Sequence, residues 1–166
     1  MSASPFAVGA LVDVTSPNHG GDVFGARVQS VVGDGTGYDV VYLHGGGAEE
    51  VAAEHVRALT TEGAGNALLA LCGSEKVSEE GITTILTAQP GAAAKRTTGK
   101  GGVLSEALLT AVPSWAAIDV GLSPFHVLCM NTHLTVDLVR AFSGADPDAA
   151  ERLDNDGRLP LHRLCG

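Results

Sequence analysis

Aromatic residues make up only 4% of the 166-residue chain, so whatever core it builds must be aliphatic. Hydrophobic residues still reach 45%, mostly Ala, Leu and Val, which is enough to bury one. Basic residues are scarce: 10 Lys and Arg stand against 19 Asp and Glu, for a net charge of −9. The deficit runs along the whole chain, with 7 acidic and 2 basic residues up to position 60 and 12 and 8 after it. That argues against nucleic acid, whose binding rests on Lys and Arg neutralising phosphates. A basic partner is the one such a charge suits, although acidity is also the ordinary route to solubility. Long apolar runs are missing too, and nothing approaches the ~18 consecutive residues of a membrane span. The N-terminus MSASPFAVGALVDV has no basic n-region, and Gly9 and Asp13 interrupt its apolar stretch, so it does not read as a signal peptide. Three cysteines are an odd count without an export signal; they read as reduced thiols in an intracellular, cytoplasmic or nuclear, protein.

What is present has two textures that meet near residue 60. Residues 6–59 read as short strands separated by turns. LVDVT alternates, and SPNHGGD follows as a turn. VFGARVQSVV places Phe24, Ala26 and Val28 on one face, and YDVVYL does the same for Tyr38, Val40 and Tyr42. GDGTG and HGGG are turns, and EEVAAEHVRAL closes the segment. From residue 66 the period is helical. Ile82, Ile85, Leu86 and Gln89 form one stripe, Leu104, Leu108, Leu109 and Val112 a second, and Leu134, Leu138, Val139 and Phe142 a third. Ser78, Ser105 and Thr135 sit where N-caps belong, because a hydroxyl there accepts a bond from a free first-turn amide.

Two heptapeptides carry the chemistry-bearing residues. SPFHVLC ends at Cys129 and LPLHRLC at Cys165, each with a His three residues before the Cys. NALLALC, ending at Cys72, repeats the position without the His. Eighteen residues after Cys72 comes Pro90, opening PGAA, and eighteen after Cys129 comes Pro147, opening PDAA. The segments DNDGRLPLH at 154–162, DVGLSPFH at 119–126 and GAD at 144–146 resemble the turn and ending of ankyrin repeats. The resemblance covers residues 65–166 and is most specific in the last two units. It implies that His126 and His162 open helices and bond backbone, and that Cys129 and Cys165 face a neighbouring helix as small apolar residues. Zinc needs four ligands within about 2.0–2.3 Å, whereas packed helices stand about 10 Å apart, so His126, Cys129, His162 and Cys165 do not read as one metal site. Neither a catalytic centre nor a metal or other cofactor is expected.

Residues 6–59 resemble SH3-like barrels of the Tudor and Agenet type through VGALVDVTS, VFGARVQSV, GYDVVYLHGG and EEVAAEHVRAL. That resemblance implies an aromatic cage for methylated Lys or Arg, held by the attraction of quaternary ammonium to ring faces. Phe24 and Tyr42 match cage positions, with Phe6, His19 or His44 as additions. The competing reading has Tyr38 and Phe24 filling a small core and Tyr42 covering the barrel end.

The expected fold is therefore α+β in two modules, a small SH3-like β-barrel followed by an all-α ankyrin-like helical repeat array. The boundaries are 6–59 for the barrel, 60–65 for a linker and 66–166 for the repeats, divided at 66–94, 95–118, 119–153 and an incomplete 154–166. The expected function is a non-catalytic protein-binding scaffold whose array face includes Leu122, Val127, Arg158 and Arg163. A reader of methylated Lys or Arg is the first alternative, and a metal protein or Cys–His enzyme the second. The short final unit leaves Leu161 and Leu164 uncovered, so self-association or fraying is expected at that end.

Overall fold

The computed structural model describes residues 5–15, 22–97 and 121–165. Five strands come first: β1 (Leu11–Thr15), β2 (Val23–Val32), β3 (Gly37–Tyr42), β4 (Ala48–Ala52) and β5 (Val56–Ala58). They form one antiparallel sheet in the order β4-β3-β2-β1-β5. The alternation read from the sequence places its core: Val12, Val14, Phe24, Ala26, Val28, Tyr38, Val40, Tyr42, Val51 and Val56 all point inward. Register follows that face, with Val12 opposite Ala26, Val14 opposite Phe24, and Val28 opposite Val40. A bulge between Val28 and Ser30 bends β2 without moving its apolar residues off the face.

Five helices follow among the described residues: α1 (Thr61–Cys72), α2 (Glu79–Ala88), α3 (Pro124–Met130), α4 (Val136–Ala145) and α5 (Pro160–Cys165). The hydroxyls of Thr60, Ser78 and Thr135 cap α1, α2 and α4, each accepting from the amide three residues on. Ile82, Ile85 and Leu86 of α2 and Leu138 and Phe142 of α4 are buried in a second core with Leu68, Leu69, Leu71, Phe125 and Leu128. Phe125 and Phe142 stack within it, their ring centroids 4.9 Å apart. No helix among the described residues is long and apolar enough to cross a membrane.

The two layers are locked at one junction. Asp13 on β1 is buried, and its Oδ2 accepts bonds from the backbone N–H of Thr60, at 3.0 Å, and from the Thr60 hydroxyl. That hydroxyl in turn accepts from Gly63 N–H at 3.3 Å, so the sheet reaches the first turn of α1 through one side chain. Asn66 on α1 donates to Val23 O on β2 at 2.8 Å. Contact this close needs glycine. A Cβ on Gly63 would lie 1.9 Å from Asp13 Oδ1, and one on Gly25 of β2 would lie 3.3 Å from Gly63 O.

Three expectations are corrected here. The sheet is not a barrel: β4 and β5 are its two edges, and no strand pairing joins them among the described residues. Closure is replaced by α1, which covers β2. The segment read as a linker, 60–65, is the cap and first turn of α1. The ankyrin-like array is absent as well. The described residues make one antiparallel sheet followed by five helices, a single α+β module, and no stack of repeats. The segments around Pro90 and Pro147 do share a local turn: Gln89 and Asp146 have φ/ψ of −142°/85° and −140°/87°, and a short 3-10 segment follows each. That is a recurrent way of ending a helix, and it does not extend into an array. The stripe from Leu104 to Val112 and the Ser105 cap, with most of the expected 95–118 unit, lie outside the described residues.

The junction yields two expected outcomes. Gly63→Ala drives a methyl into Asp13 and should cost on the order of 1–3 kcal/mol of unfolding free energy in urea titrations. Burial raises the Asp13 carboxyl above its ordinary 3.8, against the opposing pull of the Thr60 bonds. A raised folded-state value means stability that is complete below 3.8 and is lost as pH rises through the folded value. Relative to Asp13→Asn, the wild type should therefore gain stability as pH falls from neutrality towards that range, measured as the urea midpoint at each pH. A gap that stays constant with pH contradicts this account of Asp13.

Candidate functional site

The His–Cys pairs are used up inside the fold. His126 is fully buried on the first turn of α3, which Ser123 precedes as N-cap. Its Nε2 lies 3.0 Å from Arg158 O, which can only accept, so Nε2 carries the proton. Nδ1 is then the acceptor for the Ser123 hydroxyl, at 2.7 Å, and for Ser123 N–H, at 3.4 Å. Burial, the largest influence, pushes the imidazole below its ordinary 6.5, and the Arg158 carbonyl and Asp154 pull the other way. Cys129 and Cys72 are buried in the helical core, and burial pushes both thiols up, Cys129 to about 11. A thiol held protonated is neither a nucleophile nor a metal ligand. His162 is exposed and accepts from Leu159 N–H through Nδ1 at 3.1 Å; Cys165 is exposed. All three cysteines are unbridged. No group of three or more His, Cys, Asp or Glu side chains among the described residues could hold a metal ion.

The aromatic residues do come together, but facing inward. Phe24 and Tyr42 meet edge to face, with centroids 6.4 Å apart, and both are buried. The His44 ring, read as a possible addition to the cage, lies against each, at 5.4 Å and 5.3 Å. Tyr42 also donates to Glu49. Phe6 joins Tyr38 instead, at 5.9 Å, and His19 lies outside the described residues.

The residues read as one binding face are scattered. Leu122 and Val127 are buried in the helical core. Arg163 is locked onto the buried carboxylate of Asp154, with Nη2 to Oδ2 at 2.6 Å. Arg158 is exposed, and its backbone N–H donates to Asp154 Oδ1 at 2.9 Å. Lys95 pairs with Glu62, and Arg96 ties Gly121 O to Leu153 O. Leu161 and Leu164 are 54% and 51% exposed on α5. Trp115 lies outside the described residues.

A cleft of about 450 Å³ opens elsewhere, where three turns converge. One wall is the β3–β4 turn, with His44 and Gly45, where Gly45 has a φ of +83° that suits only glycine. The second is the C-terminal end of α1 and the turn after it, with Gly73, Glu75 and Lys76. The third is the α3–α4 loop, with Thr132 and His133. Asn131 fixes the third wall to the second: its Nδ2 donates to Cys72 O at 2.8 Å and to Ser74 O at 2.9 Å, while its Oδ1 accepts from His133 N–H at 2.8 Å. Lys76 Nζ reaches across to Gly45 O at 3.0 Å, joining the first wall to the second. Of these residues only His44 stood out in the sequence, and for a different role. A buried Asn beside a helix end was the available signal, but its partner lies 59 residues away in the chain.

Two outcomes follow from the His–Cys geometry. A thiol reagent should modify Cys165 quickly in the native protein and reach Cys72 and Cys129 only on unfolding; fast reaction of a second thiol contradicts the packing described. His126, buried neutral, contributes stability that is present above 6.5 and is lost as pH falls through its lowered folded value. His126→Gln should remove that acid-side loss while costing about 1–3 kcal/mol at neutral pH through unsatisfied polar groups. Chemical denaturation across pH 5–8, a range of about the usual His titration, reads both effects.

Comparison of the chain with protein-family models, with curated proteins and with solved structures finds no significant match. What the protein does is therefore read from its own geometry.

Proposed function

We propose that the protein is a non-catalytic protein-binding module that holds a segment of a partner protein in the cleft between the β3–β4 turn, the end of α1 and the α3–α4 loop. The observation that carries this reading is the cleft itself. Its volume of about 450 Å³ falls within the roughly 300–1,000 Å³ of ordinary binding pockets. Turns on a rigid scaffold are also where recognition residues usually sit, and all three walls are turns or helix ends. The rival chemistry has less support: the His126 nitrogens are both engaged and the Cys72 and Cys129 thiols are held protonated. Reading of methylated Lys or Arg through Phe24 and Tyr42 has less support too, because both rings are buried, at 2% and 5% exposure. The unbridged thiols fit a reducing intracellular compartment, cytoplasmic or nuclear, as part of the same proposal.

Thr132→Trp tests the reading by filling the cleft from an exposed position. Proteins captured from a lysate by the wild-type chain should be lost with Thr132→Trp and retained with Glu54→Gln, an exposed change in the turn before β5 that does not line the cleft. Capture that survives Thr132→Trp places binding elsewhere and overturns the proposal.

A further inference from the structure

Strand β4 is an open edge of the sheet. It pairs with β3 alone, in an unbroken register from Gly37 opposite Ala52 to Val41 opposite Ala48. The ladder fixes which of its backbone groups face outward. Ala53 N–H donates to Thr36 O at 3.0 Å, and hydrogen-bonded pairs alternate along an antiparallel ladder. Val51 and Glu49 therefore bond β3, and Ala48, Glu50 and Ala52 turn their backbone the other way. On that side the N–H groups of all three, and the C=O groups of Ala48 and Glu50, have no partner among the described residues. All three residues are exposed.

Such a row of strand groups is a template for another strand, and natural edges are blunted by brevity, Pro, bulges or charge. β5, the other edge, is three residues long. β4 has five, with no Pro and no bulge. Its guard is charge of one sign. Glu50 stands directly opposite Asp39 on the outer face, a like-charge pair that costs the sheet stability. Asp39 accepts from the Ser30 hydroxyl, but neither carboxylate makes an ion pair among the described residues.

These charges select the occupant. A second copy is disfavoured, because antiparallel pairing of β4 with itself over its full length sets Glu50 against its own copy, with an Asp39 behind each. A cation is favoured in the same place, since a residue paired with Glu50 has its Cβ about 5 Å away on the same face. The net charge of −9 favours the approach of a basic segment from a distance.

We propose that β4 takes up an extended basic segment of a partner protein as an added antiparallel strand, with a Lys or Arg opposite Glu50. Main-chain bonds to Ala48, Glu50 and Ala52 supply the affinity, and the alternate side chains choose the segment. None of these residues lines the cleft, so the surface is separate from it.

Three capped heptapeptides test this on the full chain: Thr-Lys-Val-Lys-Val-Lys-Thr, the same peptide with Glu for Lys, and the lysine peptide N-methylated at its lysine amides, which keeps the charge and removes the donors. The readout is amide hydrogen exchange at single residues. At millimolar concentration the lysine peptide should slow exchange at Ala48, Glu50 and Ala52, and the other two should not. Glu50→Gln should weaken binding roughly two- to fivefold, the range of an exposed ion pair. Ala52→Pro is the second variant. Ala52 has a φ of −62°, which proline adopts without strain, and the change removes one outward N–H. It should weaken binding about two- to tenfold, the worth of one hydrogen bond. Thr132→Trp should leave peptide binding unchanged, whatever it does to partner capture. Binding of the glutamate peptide, or equal binding of the methylated one, overturns the proposal. So does lysine-peptide binding that ignores both Glu50→Gln and Ala52→Pro. If no peptide protects these amides, Glu50 and Asp39 only guard the edge and the proposal falls, while the cleft reading still stands or falls on Thr132→Trp.

Discussion

The contact on which the rest depends is Asp13 with the first turn of α1. It joins a five-stranded sheet to a helical layer through one buried carboxylate, one capping hydroxyl and two glycines. Each part constrains the others. Thr60 accepts from Gly63 N–H while donating to Asp13, and the absence of a side chain on Gly63 leaves room for Asp13 Oδ1. The carboxylate also places negative charge at the positive end of the helix, where it is favourable. Burying it costs solvation, which the two Thr60 bonds offset only in part; hence its raised proton affinity.

The cleft is a consequence of that junction. Its first wall belongs to the sheet and its other two belong to the helices. With α1 pinned on β2, the end of α1 lies beside the β3–β4 turn, and Lys76 can span the gap to Gly45. Asn131 then brings the α3–α4 loop onto the same helix end. The helical residues that looked most like chemistry serve this packing. His126 ties α3 to the 154–158 turn, and Cys129 fills space beside α1.

Much of the fold was legible one element at a time. Strict alternation located β1, β2 and β3 and gave the right face for Phe24, Ala26, Val28, Tyr38, Val40 and Tyr42. The stripes of α2 and α4 and the caps at Ser78 and Thr135 were legible for the same reason, since each depends on residues within one or two turns. Helix α1 was not legible at its start. It is buried on every side from Gly63 to Cys72, so it shows no polar face to set a period, and Gly63 and Gly65 read as linker. The glycines are there because Asp13 and Lys95 approach the helix backbone, a tertiary fact. The array failed on a related point. Similar turns at Gln89-Pro90 and Asp146-Pro147 are local chemistry, while stacking is decided by what each helix meets. The barrel failed because pairing between β4 and β5 is a property of the whole sheet. The cleft was the least visible feature, being assembled from turns at 43–47, 73–76 and 131–133 that share no pattern.

One measurement reaches the central claim, that sheet and helices are a single unit fastened through Asp13 and α1. Native-state hydrogen exchange in increasing denaturant resolves the free energy at which each amide opens. If the account holds, core amides of β1–β3 and of α1 merge into one opening with a common denaturant dependence, and Asp13→Ala separates them. If the wild-type sheet amides open at clearly lower denaturant than those of α1, the junction does not couple the layers, and a cleft built across it loses its foundation.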